Sequence, residues 1–114
     1  MARELRVLVE WERILHRLLD STQQFPKAVR LSFGQRIDNI ALDITETLVQ
    51  AQYSEKHQQS KHLHSINVQL AQLRLLLRIS CDRKYVSMGL LATLIESLDS
   101  IGFQIHSWFK SLFV

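Results

Sequence analysis

Proline occurs once, at Pro26, and glycine only three times in 114 residues, so little interrupts a helix, and the one clear break falls between Phe25 and Gly34. No Asn-Gly or Asp-Gly turn and no sustained alternation of period two is present, which removes the usual support for strands. The single cysteine, Cys81, cannot close an internal disulfide, and it reads as a small buried hydrophobe. The opening MARELRVLVEWERIL carries charges where a signal peptide needs an unbroken apolar stretch, so a reducing cytoplasm is the expected compartment. No run of about eighteen apolar residues occurs, and the leucine-rich segment from Leu73 to Ile79 is interrupted by Arg74 and Arg78, so no membrane span is expected. Phosphate-cradling glycine loops, nucleophile elbows and triad patterns are missing as well, which points away from an enzyme and from a small-molecule substrate.

What remains is helical. The chain reads as all-α, one domain over 1–114, with helices at about 3–22, 31–54, 61–82 and 86–112. Short links favour antiparallel neighbours, and so an up-down-up-down four-helix bundle. Each segment carries one apolar seam. The first holds Leu8, Trp11, Leu15, Leu18 and Leu19, and the second Phe33, Ile37, Ile40, Ala41, Ile44 and Leu48. The third holds Leu63, Ile66, Leu70, Leu73, Leu77 and Cys81, and the fourth Leu91, Leu94, Leu98, Ile101, Ile105, Trp108 and Leu112. Burying each large side chain contributes about 1.5–3 kcal/mol before entropy is set against it, enough to hold such a bundle.

Apolar residues also stand away from these seams. Val68, Leu75 and Ile79 fall nearly opposite the third seam with Leu76 beside them, Leu42, Val49 and Tyr53 leave the second, and Phe103 leaves the fourth. Aligned stripes of this kind predict contacts between copies of the chain, a homo-oligomer; the alternative is wide seams wrapping a tight core.

Lys and Arg total 14 against 11 Asp and Glu, a formal charge of +3, which permits an acidic partner without requiring one. Arg3, Arg6, Arg13 and Arg17 form a ladder on the polar side of the first helix, either a solvated face pairing with Glu10 and Asp20 or a row of guanidinium forks suited to phosphates. Arg74 and Arg78 lie one turn apart, between the third seam and its outer stripe. Lys27 and Arg30, with Arg83 and Lys84, should meet at one end of an alternating bundle. His57, His62 and His64 cluster before the third helix in a stretch, Tyr53 to His64, that reads as helix end and polar loop; His16 and His106 stand apart. With no second cysteine and no Glu-x-x-His pair, no metal or cofactor site is expected. Asp43 and Glu46 lie on the polar side of their helix and form no acid and base pair.

WERILHRLLDSTQQFPKAVRLSFGQRIDNIALDI, followed by ETLVQAQYS, QLAQLRLLLRIS and IGFQIHSW, resembles the Avd-like four-helix-bundle proteins, Avd being the accessory variability determinant of diversity-generating retroelements. The most specific parts are Phe25-Pro26-Lys27, Phe33-Gly34-Gln35-Arg36, Leu73-Arg74, Leu77-Arg78 and Trp108. The resemblance implies a barrel-like homopentamer of antiparallel bundles that is not an enzyme and associates with a reverse transcriptase and with RNA or DNA during mutagenic copying. It makes Arg74 and Arg78 first choice for contacts to polymerase or nucleic acid, with Lys27, Arg30 and Arg36 next. The same helical family includes proteins encoded within intervening sequences of 23S ribosomal RNA genes, which implies, as the alternative, a structural oligomer without a nucleic-acid role.

Overall fold

A computed structural model of the chain describes residues 3–114. Among them no strand occurs, and the order is α1 (Arg3–Gln23), a single turn α2 (Lys27–Val29), a π-helical turn (Arg30–Gly34), α3 (Gln35–Gln52), α4 (Lys56–Asp82) and α5 (Met88–Ser111). Helix α1 packs against α3 and α5, and α4 against the same two, while neither diagonal pair meets. That is an antiparallel four-helix bundle, 46 Å long and 21–23 Å across.

Helix α1 ends where Gln24 N–H and Phe25 N–H donate to Ser21 and Thr22 carbonyls (both 3.1 Å), and Pro26, with φ −53° and ψ 139°, turns the chain. The break thus lies at Gln24–Pro26. Gly34 is not part of it: the helical path from Lys27 to Gln52 runs through Gly34 at φ −62°. Expecting α4 to begin near residue 61 was also short of the mark. Only Tyr53 to Glu55 separate α3 from α4, because Gln59 reaches back from the first turn of α4 to cap α3, its Nε2 donating to Ala51 O at 2.9 Å. At the other end of α4, Tyr85 N–H donates to Ser80 O (2.7 Å) and Lys84 N–H to Cys81 O (2.9 Å), a Schellman closure with Lys84 at φ 66°. Ser87 then caps α5, its Oγ accepting from Leu90 N–H at 3.1 Å.

The buried seams of α3, α4 and α5 run as their sequence period predicts, with Ala51 added to α3 and with Phe33, Cys81, Leu91 and Leu112 only half-buried against the core. The α1 seam is rotated. Val7, Trp11, Ile14 and Leu18 are buried, whereas Leu8 and Leu15 are half-buried at the edge and Leu19 lies outside the core cluster. Trp11 explains the turn of this helix: its indole N–H donates to Thr45 Oγ1 on α3 at 2.8 Å, satisfying a buried donor and holding Leu8 and Leu15 toward α3. By length and composition α5 is apolar enough to cross a membrane. Here Leu94, Leu98, Ile101, Ile105 and Trp108 close the bundle core, and exposed Glu96 and Asp99 lie on other sides.

Candidate functional site

The two connections that carry the loop cations lie at the same end of the bundle. Phe25 and Phe33 pack on Tyr85 (ring centroids 5.5 and 5.8 Å), joining the α1–α3 connection to the α4–α5 turn. Around this aromatic knot Lys27, Arg30, Arg83 and Lys84 are all exposed. Arg30 donates to Phe25 O at 3.2 Å, and Arg83 Nε to Tyr85 Oη at 2.9 Å, a bond that favours the charged guanidinium and raises its pKa. Neither bond removes charge. Lys84 occupies a left-handed position that glycine would fill without strain, so a cation is kept there at a conformational cost of about 1 kcal/mol. Leu31 and Met88 stand exposed nearby in sequence, at 85% and 81%.

Arg74 and Arg78 part company. Arg74 Nε donates to Asp99 Oδ1 on α5 at 2.8 Å, its side chain is only 24% exposed, and its guanidinium lies over Gly102, where a Cβ would come within 2.8 Å of it. Its charge is already matched by Asp99, so it fastens α4 to α5, and as the first choice for an anionic partner it is displaced. Arg78, one turn on, is exposed and makes no ion pair, and Arg36 is likewise exposed.

On α1 the carboxylates do not serve the arginine ladder. Glu10 takes hydrogen bonds from Ser100 Oγ (3.0 Å) and Gln104 Nε2 on α5, and Asp20 makes no ion pair. Arg17 donates to Ser97 Oγ at 3.4 Å, and Arg13 beside it is exposed. Among the described residues only two ion pairs exist, Arg74 with Asp99 and a 4.0 Å contact of His57 with Glu55. The Lys and Arg side chains other than Arg74 thus carry their charge without a carboxylate in contact.

The outward apolar positions fall in four places. Val68 and Leu75 project outward from α4, 46% and 53% exposed, with Ile79 half-buried beside them. Leu76 is half-buried and packs on the core, its position on the wheel looking toward α3 and away from Val68 and Leu75. Leu42 and Val49 are exposed on α3 in line with Thr45, at i, i+3 and i+7, and Thr45 meets Trp11, so this line faces α1. There it adjoins a hollow of about 420 Å3 lined by Leu5, Leu8, Val9, Leu15 and His16. Leu5 and Val9 escaped sequence reasoning because they fall off the α1 seam, and the rotation of α1 brings them to the hollow that Thr45 also lines. Tyr53 is 83% exposed at the end of α3, and Phe103, 74% exposed on α5, lies by Arg3 and Arg6 and not with the other apolar positions.

No group of three or more His, Cys, Asp and Glu converges among the described residues. Cys81 is half-buried against the core. A family model described as bAvd-like matches residues 6–112. No curated protein matches the chain.

Proposed function

The chain belongs to the bAvd-like family, and from that premise we propose that it is a non-enzymatic, oligomeric scaffold of the cytoplasm that joins a retroelement reverse transcriptase to its nucleic acid. One observation carries this reading: a bundle that pairs a single arginine with a carboxylate leaves its other guanidinium groups, and the lysines of its basic end, free for an anionic guest. Lys27, Arg30, Arg83 and Lys84 form one such surface, Arg13 and Arg17 belong to another, and Arg36 and Arg78 add to the outer faces. The apolar surfaces supply assembly. The α4 stripe of Val68 and Leu75 and the α1–α3 face of Leu42 and Val49 lie on different sides of the protomer, and two unlike patches suit head-to-tail contacts that close into a ring, a pentamer by family resemblance.

Co-purification with the reverse transcriptase of the same retroelement tests the scaffold role, with a filter-binding titration of template RNA alongside. The expected result is a stable polymerase complex, and RNA retention that falls steeply between about 50 and 200 mM salt as counterion release demands. An oligomer that retains neither polymerase nor RNA at low salt is a purely structural assembly, and the reading fails.

A further inference from the structure

Three hollows lie in a row along one seam of the bundle, between α1 and α5. The first, about 350 Å3, is lined by Arg3, Arg6, Phe103, Gln104 and Ser107; the second, about 150 Å3, by Arg13, Arg17 and Ser97; the third, about 310 Å3, by Arg17, Thr93, Ser97 and Ser100. Glu10 borders all three. We propose that this seam is a track for single-stranded nucleic acid, holding phosphates on the α1 arginines and stacking an unpaired base on Phe103. The inference rests on the scaffold reading for the anionic guest and goes beyond it in naming the surface and the strandedness.

The charge of the seam supports an anionic strand. Four arginines face two carboxylates, Glu10 and Glu96, and Glu10 is occupied by Ser100 Oγ and Gln104 Nε2 across the seam. It tacks the helices together and leaves the guanidinium groups without a partner carboxylate. From Arg3 to Arg17 the helix rises about 21 Å at 1.5 Å per residue. That length suits about four nucleotides of extended strand, the low end of single-strand site sizes.

The aromatic decides strandedness. Phe103 is 74% exposed at the end of the track, beside Arg3 and Arg6, so one ring face is open to a base while the guanidinium groups reach the flanking phosphates. The Gln104 amide nitrogen is committed to Glu10, and its carbonyl oxygen remains as an acceptor for a base edge. Duplex offers no free base face to this ring. A second protein copy laid here would bury four cations against two carboxylates, Glu10 already being engaged by Ser100 and Gln104, at a large desolvation cost.

Fluorescence anisotropy with labelled oligouridylate, oligothymidylate and a duplex of equal length tests the track, using the full chain at several salt concentrations. Both single strands are expected to bind more tightly than the duplex. Phe103→Ala should weaken single-strand binding by about five- to a hundredfold with an unchanged salt slope. Arg6→Ala with Arg13→Ala should lower the slope of log affinity against log salt by about 1.4, two phosphate contacts on a single strand. Both variants should keep the helical circular dichroism and sedimentation coefficient of the parent. Unaltered RNA binding by both variants, with loss on Arg30→Ala plus Lys84→Ala, overturns the track and leaves the scaffold reading standing. Loss of the oligomer on Phe103→Ala assigns that ring to a subunit contact and also overturns the track. Wild-type protein that binds no single strand overturns it too, and polymerase co-purification then decides whether the scaffold reading survives.

Discussion

Toward α3, helix α1 presents Leu5, Leu8, Val9 and Leu15 beside buried Trp11; toward α5 it presents Arg3, Arg6, Arg13 and Arg17 beside Glu10. The two flanks cross to their neighbours by different means. On the apolar flank the indole N–H of buried Trp11 meets Thr45, while on the polar flank half-buried and exposed hydroxyl and amide groups meet Glu10 and Arg17. Hydrogen bonds in water contribute little net stability, whereas buried aromatic surface contributes much. One helix therefore divides its chemistry: the α3 side packs through apolar contacts, and the α5 side keeps guanidinium groups without a carboxylate partner, flanks that the proposed function assigns to assembly and to an anionic guest.

Trp11→Ala should break this contrast most severely, destabilising the fold by about 3–5 kcal/mol in urea denaturation through lost aromatic packing and an unfilled cavity. Arg17→Ala on the opposite flank should cost less than about 0.5 kcal/mol in the same measurement. Leu42→Lys with Val49→Lys should leave the protomer folded and weaken self-association by about a hundredfold or more, since each charge would be buried at a contact without a partner; sedimentation equilibrium reads it. Thr45→Val should cost about 1–2 kcal/mol by orphaning the Trp11 indole. Arg74→Ala should change stability by less than about 1 kcal/mol and leave RNA affinity nearly unchanged, because that cation already belongs to Asp99 and the pair is partly exposed. A tenfold loss of RNA affinity in Arg74→Ala would return that residue to the binding surface.

The architecture was legible where periodicity is strong. The seams of α3, α4 and α5 follow the 3.6-residue repeat, and the lone proline marks the α1 break. The α1 seam was less so, because Leu8, Leu15 and Leu19 form as good a stripe as Val7, Ile14 and Leu18, and only the long-range Trp11 to Thr45 bond chooses between them. The early start of α4 was hidden by the polar run from Lys56 to Ser60, whose helical state depends on Gln59 capping the preceding helix. Among the charged residues, type and spacing made Arg74 and Arg78 look alike. Their separation depends on Asp99 and on the space over Gly102, both contributed by a different helix. The same holds for Glu10, which periodicity assigns to the α1 arginines and tertiary packing assigns to α5.

Sedimentation velocity with a labelled single-stranded RNA, run on the parent and on one double variant per flank, tests the division of labour most directly. The parent should sediment as a multiple of 13.3 kDa carrying RNA. Leu42→Lys with Val49→Lys should fall toward the protomer mass, and Arg6→Ala with Arg13→Ala should keep the assembled mass while shedding RNA. A parent protein that sediments at 13.3 kDa at micromolar concentration and leaves the RNA free would contradict both halves of the account.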